Sequence, residues 1–366
     1  MTNWNNINFK RLKQEIICPT RNFSKKLLFI IHNFIEIFSI KTGKNKISYL
    51  IYDVRNNPIT FDFVFIVYYA YLFFLKQGVK NFKLIIYEPK DYKYDIPMLS
   101  DYSKYISSAD LKKRINAMIL PIAESFNCVS AIKFISSYED FKKLKINTRY
   151  ILPQFFNPKI YSPNVQNHKK IYFNLLKNKK KKLYPYLESI FSREEILERI
   201  SRDEKIMKYA TITLRDYGYN PKRNSSSKEI KLAYFYAKTR GLNLILVPDE
   251  IKNLDNYDIP DEIIIYSSAR ESLKERIGLY SHSEMNIFPP CGAANISLFT
   301  KSSRTIMLKF GDPNSIDSSE NYYKETYNIN YGQQPYKGLK GYLDWYTKNY
   351  DNSDYKIKIP NNFFND

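Results

Sequence analysis

Two short apolar runs, joined by a polar loop and a helical stretch, constrain the fold of this chain more than any other feature. The first run, Tyr209–Leu214, is rich in strand-forming residues and stops at Arg215. The helix-forming stretch Lys228–Arg240 follows a polar loop, and the second run, Leu242–Val247, ends two residues before Asp249. Strand, helix and strand in this order predict a βαβ unit with two parallel strands in one sheet.

The first half of the chain has the same pattern. Ile47–Tyr52 is predicted to be a buried strand, and the polar stretch Asp53–Pro58 follows it. A helix then runs to about Gln77, with Asp62 in its first turn, where a carboxylate favours the helix dipole. Phe82–Tyr87 is the next predicted strand. Two such units predict an α/β protein with two Rossmann-like domains that face a cleft.

The alternation of helices and strands continues along the chain and defines the expected domains. Helices are predicted at residues 109–126, 137–144, 185–200, 272–281, 293–300 and 339–349. Further strands are predicted at 129–134, 149–152, 263–266, 285–288 and 305–310, the last of these being the final strand. The expected segments are a helical arm (1–45), a first domain (46–200), a second domain (201–350) and a tail (351–366).

The positive net charge indicates an anionic partner but does not identify it. The 366 residues carry a formal net charge of +20, which suits nucleic acid, an anionic membrane or an anionic substrate. An AT-rich genome is another explanation for the excess of lysine, because the abundant Lys, Asn, Ile and Tyr have AT-rich codons. RNA-binding and zinc-finger patterns are absent from the sequence, so no nucleic-acid partner is expected.

Cysteine and histidine usage gives no sign of a metal centre or a disulfide framework. These residues are few and scattered, at Cys18, Cys128, Cys291, His32, His168 and His282. Their spacing matches no zinc or disulfide pattern, and we expect neither a metal nor a cofactor. A reducing cytoplasmic location suits free thiols.

Three segments bear on membrane association. Leu27–Ile40 and Phe63–Leu75 are apolar but shorter than a membrane span. The first is expected to pack on the protein or to lie on a membrane surface as an amphipathic helix. The basic segment 169–183 is expected to be solvated, with anionic lipid as the alternative partner. Peripheral attachment to the inner membrane face therefore stays open.

The loop after Leu214 has the residues of a phosphate site. Open α/β sheets bind ligands at the carboxyl ends of their strands. Arg215 stands at such an end, and Arg223 and Asn224 lie in the same loop before a helix. A guanidinium group and a helix amino terminus both favour a phosphate group. The alternative for Arg215 is a salt bridge to Asp216 or Asp249.

A second loop of small residues is expected to complete this site. It follows the predicted strand 285–288 and contains Gly292, Ala293, Ala294 and Asn295. Small side chains allow a ligand to approach the backbone N–H groups at a helix start.

These segments resemble the donor domain of GT-B glycosyltransferases, and most closely the α1,6-fucosyltransferase and O-fucosyltransferase group. That group has a strand ending in His-x-Arg-Arg-x-Asp, and Thr213, Leu214, Arg215 and Asp216 stand at the matching positions here. Pro290–Asn295 is similar to the segment that surrounds the nucleotide diphosphate. The resemblance covers roughly residues 205–310, with a looser match at Tyr49–Phe63. It implies that the second domain binds a nucleotide-sugar and the first an acceptor.

The remaining roles follow from the chemistry of sugar transfer. Negative charge builds on the leaving diphosphate, so Arg215, helped by Arg223, is the predicted stabilising group. Asp249 or Glu284 is expected to bind the ribose hydroxyls. The acceptor requires a base, for which Asp53 at a strand end is preferred to Asp62. Acceptor binding is assigned to Arg55, Asn56 and Asn57.

The sequence therefore predicts a metal-independent glycosyltransferase of cell-surface glycan synthesis, acting on a polysaccharide or glycolipid. P-loop, dinucleotide-binding and GxSxG motifs are absent from the sequence, which disfavours kinases, dehydrogenases and α/β-hydrolases. The alternatives are a non-catalytic nucleotide- or sugar-binding module and a basic nucleic-acid-binding protein.

Overall fold

A computed structural model gives the fold of the chain. It describes residues 47–55, 57, 59–90, 107–144, 150–153, 156, 185–200, 206–218, 220–249, 254–300, 304–308, 319, 321, 324–325 and 343–345. The predicted arm 1–45, the tail 351–366 and the basic segment 169–183 lie outside these residues.

The first sheet has four parallel strands within residues 47–153. Its elements are β1 (Tyr49–Asp53), α1 (Phe63–Leu75), β2 (Phe82–Tyr87), α2 (Ser108–Arg114), a π-helical turn (Ile115–Ile119), α3 (Leu120–Ser125), β3 (Val129–Ile135), α4 (Tyr138–Lys143) and β4 (Ile151–Leu152). The strand order is β3-β2-β1-β4.

The second sheet has six parallel strands among the described residues. Its elements are α5 (Arg193–Ile200), β5 (Tyr209–Leu214), a 3-10 turn (Pro221–Arg223), α6 (Ser227–Lys238), β6 (Asn243–Pro248), a second 3-10 turn (Leu254–Asn256), β7 (Ile264–Ile265), α7 (Ser268–Glu271), α8 (Leu273–His282), β8 (Met285–Phe288), α9 (Ala293–Leu298), β9 (Arg304–Met307) and β10 (Leu343–Trp345).

The strand order of the second sheet is that of a doubly wound Rossmann fold. Read across the sheet it is β7-β6-β5-β8-β9-β10, so the chain winds outward from β5 in one direction and from β8 in the other. This is the order 3-2-1-4-5-6 of dinucleotide-binding folds. The predicted α/β architecture with two Rossmann-like domains is confirmed.

Helix α1 is an apolar helix buried in the protein. Ten of its thirteen residues are buried, on all sides of the helix, as expected for a helix without a polar face. Its first residue, Phe63, packs edge-on against Tyr52 of β1, with ring centroids 4.8 Å apart. In the described part of the chain, no helix has the length and apolar character to cross a bilayer.

One hydrophobic core joins the two sheets. Phe299, which follows α9 and is 2% exposed, contacts three aromatic rings of the first domain. The centroids of Phe65, Tyr68 and Phe126 lie 5.7, 5.5 and 5.8 Å from its own. The same cluster of buried residues includes side chains of both domains. A shared apolar interface of this kind holds the domains in one relative position.

A buried polar network fixes α9 on the second sheet. Asn286 in β8 is fully buried, and its Nδ2 donates to the Ser297 Oγ in α9 at 2.9 Å. Its Oδ1 accepts from the hydroxyl groups of Thr211 and Ser283 at 2.6 and 2.8 Å. Since buried amides are costly when unpaired, this set of bonds specifies one position for the helix.

The predicted helix 185–200 is wrong in its first half. Only Arg193–Ile200 is helical, because Ser192 and Glu195 form a reciprocal capping pair at its start. The preceding residues 185–192 are irregular and connect the domains. The Leu187 N–H donates to the Phe299 carbonyl at 2.8 Å, and the Glu188 N–H donates to the Ser125 carbonyl at 2.7 Å.

The predicted helix 339–349 and the prediction that 305–310 is the final strand are also wrong. Leu343–Trp345 forms β10, which pairs in parallel with β9. Leu343 and Trp345 alternate with Asp344, a period of two that suits a strand. Pairing with an otherwise open sheet edge therefore determines the structure of this segment.

We predict that Phe299→Ala lowers the free energy of unfolding by about 3–5 kcal/mol, because it leaves a cavity in the core shared by both domains. Phe235→Ala is the matched control: Phe235 lies on α6 and is 62% exposed, so its loss should cost less than about 0.5 kcal/mol.

Urea unfolding followed by circular dichroism and tryptophan fluorescence measures both variants, and one coincident transition is expected. Equal losses for the two variants, or separate transitions for the two domains, would contradict a shared core.

Candidate active site

The crevice at the centre of the second sheet is the place where this fold binds ligands. Strands β5 and β8 are neighbours, and the chain leaves them in opposite directions across the sheet. The loops that follow their carboxyl ends therefore diverge and leave a crevice between them. These loops begin at Arg215 and Pro289, so they are the two loops that the sequence predicted for the donor.

Arg215 is held firmly in the first of these loops. It is 5% exposed, and its main-chain N–H donates to the Ser225 Oγ at 3.0 Å. Its guanidinium Nη1 donates to the Asn220 carbonyl at 3.2 Å and to the Asn224 Oδ1. Asn220 has a positive φ of 51°, a conformation that asparagine tolerates well. The loop thus orients a nearly buried cation at the end of β5.

Asn224, predicted to bind the donor, organises this loop. Besides the bond from Arg215, its Oδ1 accepts from the Tyr217 N–H at 3.1 Å, and its Nδ2 donates to the Tyr217 carbonyl at 3.2 Å. Its side chain is therefore engaged with its own loop rather than presented to a ligand.

Arg223 connects the two loops. Its Nε donates to the carbonyl of Pro290, in the loop after β8, at 2.7 Å. Both Arg223 and Arg215 lie close enough to the Cys291 thiol to lower its pKa. Burial, the largest effect, and the Asp249 carboxylate raise it, so that the pKa of Cys291 is about 11. Two cations thus lie on the loops that border the crevice, Arg215 at the end of β5 and Arg223 in contact with the loop after β8.

The small residues after β8 allow contact with the first domain. A Cβ atom at Gly292 would lie 2.9 Å from the Phe61 Cδ2, so only glycine allows Phe61 to pack there. Ala293 and Ala294 are buried, and the Ala294 N–H donates to the Cys291 carbonyl at 3.3 Å. Close packing between the domains thus requires a glycine at position 292, and the expected ligand contact of Gly292, Ala293 and Ala294 stays a prediction.

A hydrogen bond between the domains joins two predicted site residues. The Asn295 Nδ2, in the first turn of α9, donates to the Asp62 Oδ1 at 2.8 Å. Asp62 stands at the start of α1 and is half-buried. The structure therefore brings the carboxylate predicted as the second choice of base to the start of the donor-side helix.

Asp53, the preferred base, is occupied by Arg55. Asp53 is 1% exposed, and its Oδ1 and Oδ2 accept from the Arg55 Nε and Nη2 at 2.9 and 2.7 Å. The Arg55 guanidinium also lies 4.9 Å from the centroid of the Tyr87 ring. Since each charge neutralises the other, the contacts argue against Asp53 as the base and against Arg55 as an acceptor ligand.

Asn57, another predicted acceptor residue, contributes little to an open site. Asn57 is 2% exposed, and its Nδ2 donates to the Asp53 carbonyl at 2.9 Å. In the part of the chain that the structure describes, its Oδ1 is buried without a hydrogen-bond partner. Asn56 lies outside the described residues.

Of the two predicted ribose-binding carboxylates, only Asp249 lies at the crevice edge of the sheet. It follows β6 directly, and Arg276 of α8 donates from Nη1 to its Oδ1 at 2.6 Å. The Arg276 side chain is 3% exposed and that of Asp249 is 27% exposed. Sequence reasoning missed Arg276, because no local pattern links it to a residue 27 positions earlier.

The prediction for Glu284 is wrong. Its N–H donates to the carbonyl of Tyr209, the first residue of β5, at 2.9 Å. Glu284 directly precedes β8, so it lies at the amino ends of these parallel strands. That is the edge opposite the crevice, about 13 Å away along a four-residue strand.

Within the described residues, no group of three or more His, Cys, Asp or Glu side chains comes together as a metal site. Arg215 and Arg223 carry positive charge on the loops that border the crevice.

Comparisons with known proteins give distant structural likenesses. No family model matches the chain, and no curated protein sequence matches it. It is similar to a family 9 glycosyl transferase from Veillonella parvula DSM 2008, with 8% identity, a TM-score of 0.45 and coverage of 81% of this chain and 86% of that one. E. coli ADP-heptose lps heptosyltransferase II has 8% identity, a TM-score of 0.37 and coverage of 82% and 93%.

A third likeness is to the iron-containing dodecameric glycosyltransferase TibC from enterotoxigenic E. coli H10407. The identity is 15% and the TM-score 0.35, over 74% of this chain and 63% of that one. This chain thus spans less than two thirds of the TibC chain. At TM-scores below 0.5, none of these likenesses decides an activity.

Proposed function

We propose that this protein is a GT-B-like glycosyltransferase that moves a sugar from a nucleotide-activated donor to a polysaccharide or glycolipid in cell-surface glycan synthesis. The observation that carries the proposal is the place of two arginines where the strand order of the second sheet reverses: Arg215 directly follows β5, and Arg223 bonds to the loop after β8. A fixed pair of cations at this point suits a diphosphate.

The two arginines would stabilise the leaving diphosphate. Negative charge grows on that group as the bond to the sugar breaks, and cations that are already in place lower the barrier most. The loop contacts of Arg215 and the bond from Arg223 to Pro290 hold both side chains in position before a ligand arrives. These guanidinium groups supply the charge that a metal ion provides elsewhere, so we propose a metal-independent reaction.

Asp249 is the proposed ribose ligand. It follows the second strand of the doubly wound sheet, and an acid at this place binds ribose hydroxyls in Rossmann folds. Arg276 holds its Oδ1, and the 27% exposure of the side chain leaves part of the carboxylate open to a hydroxyl group.

Asp62 is the proposed base. A base must reach the proton of the acceptor hydroxyl, and Asp62 is presented from the first domain to the start of α9. Asp53 is paired with Arg55 on both carboxylate oxygens. The proposed assignment therefore reverses the preference drawn from the sequence.

The resemblance to fucosyltransferases concerns the part of the site that would bind the donor sugar, and it stays a proposal. Arg215 stands where that group has its first arginine, and Asp216 replaces the second. Burial raises the pKa of Tyr257, and the hydrogen-bonded charge of Asp216 raises it further. This acidic neighbour gives the loop a different surface from that of the fucosyltransferase group.

We also propose a peripheral location on the cytoplasmic membrane face. Acceptors of this class are assembled on membranes, and a net charge of +20 favours anionic lipid.

The proposal is tested by incubating the protein with a panel of ADP-, GDP-, UDP- and CMP-sugars and measuring nucleotide release. We expect release from one donor and saturable one-to-one binding of its nucleotide product. Binding without release would support a non-catalytic module, and binding of RNA alone that fades with salt would support a nucleic-acid-binding protein.

With that donor, we predict that Arg215→Ala lowers kcat/KM, because a fixed cation at the diphosphate is lost. The expected loss of transition-state stabilisation is about 2–4 kcal/mol. Lys222→Ala is the matched control, since it removes the same charge from an exposed position in the same loop. Similar activities for the two variants would exclude a specific role for Arg215.

The ribose assignment makes a separate prediction. Asp249→Asn should weaken binding of the ribonucleotide product about tenfold, through loss of a charge-assisted hydrogen bond. It should also reduce the preference over the 2′-deoxy nucleotide. Glu284→Gln is the control at the opposite sheet edge, and calorimetry should show unchanged affinity. A larger loss with Glu284→Gln than with Asp249→Asn would reverse the assignment.

A further inference from the structure

We propose that Asn295 is a positioning residue, which holds the Asp62 carboxylate toward the donor site. This inference rests on the proposed glycosyltransferase function. Its basis is the hydrogen bond from the Asn295 Nδ2 to the Asp62 Oδ1, which is 2.8 Å long and joins residues 233 positions apart.

The conformation of Asp62 departs from the usual role of a carboxylate at its position. Asp62 is the N-cap of α1, but its side chain makes no capping hydrogen bond. An N-cap aspartate normally accepts from an N–H group of the first turn and stabilises its helix in this way. Here the carboxylate points to the other domain instead. Departures from a local rule are typical of functional sites.

The partner of Asp62 belongs to the donor site. Asn295 lies in the first turn of α9, and the loop before α9 includes Pro290, whose carbonyl accepts from Arg223. The contact of Phe61 with Gly292 brings the two helix starts together. A short series of contacts therefore connects Arg223, a proposed diphosphate ligand, to Asp62, the proposed base.

The surroundings of Asp62 suit a carboxylate that has to accept a proton. Tyr52 faces it from β1: burial raises the pKa of that phenol, and the charge of Asp62 raises it further. Thr60 of the preceding loop contacts the Asp62 Oδ2 at 3.3 Å, a long hydrogen bond. Asn295 from α9 donates to the other oxygen. Among the described residues, Oδ2 therefore has only the long hydrogen bond from Thr60.

The test places a second carboxylate beside Asp62. Asn295→Asp keeps the shape of the side chain but puts like charges next to each other, which raises the apparent pKa of the pair. Because activity requires ionised Asp62, the acidic limb of the kcat–pH profile should move up by about one pH unit. Asn295→Ala should lower kcat roughly tenfold or more with little change in donor KM, because the carboxylate is no longer held.

Asn256→Asp is the control, since it makes the same chemical change at an exposed position in the second 3-10 turn. Turnover is measured as nucleotide release from the donor that the wild-type protein uses in the ADP-, GDP-, UDP- and CMP-sugar panel. Urea unfolding is measured on each variant. A purely structural role for Asn295 would lower the stability of Asn295→Asp and leave the pH limb in place.

An unmoved limb in a folded, active Asn295→Asp variant would overturn the role of Asn295 while leaving the proposed function intact. If the wild-type protein releases nucleotide from none of these donors, the proposed function fails, and this inference fails with it.

Discussion

The packing of Phe299 between the two sheets determines where the candidate site residues stand. Domains joined only by a linker normally move relative to each other, whereas a large apolar interface prevents such movement. Here Phe299 directly follows α9 and packs on Phe65 and Tyr68 of α1. The first residues of these two helices are therefore close enough for a hydrogen bond between Asn295 and Asp62. The site is assembled by the core before any ligand binds.

Much of the fold could be predicted from the sequence, because the strands and the helices between them follow from local patterns. The strands Phe82–Tyr87, Tyr209–Leu214 and Met285–Phe288 were predicted with the bounds that the structure gives them. Parallel strands with intervening helices also fixed the sheet edge at which Arg215 lies. The segment at Leu343–Trp345 was mistaken for a helix, because its pairing with β9 depends on residues far away in the chain.

The pairing of side chains could not be predicted in the same way. Asp53 stands at a strand end, as a catalytic carboxylate often does, but Arg55 occupies both of its oxygens. The sequence around Asp62 is typical of an ordinary helix start. Its contact with Asn295 could not be predicted, because it depends on how the two domains pack. Glu284 was assigned to the wrong edge, although its place before a strand identifies the amino end. A capping pair, Ser192 and Glu195, marked a helix start that the sequence reading placed too early.

The most direct test of this account is a crystal structure of the protein with the nucleoside diphosphate that binds most tightly. The account predicts diphosphate oxygens within about 3 Å of the guanidinium groups of Arg215 or Arg223, in the crevice between the loops that follow β5 and β8. A diphosphate bound at the amino ends of the strands near Glu284, or in the first domain near Arg55, would contradict it.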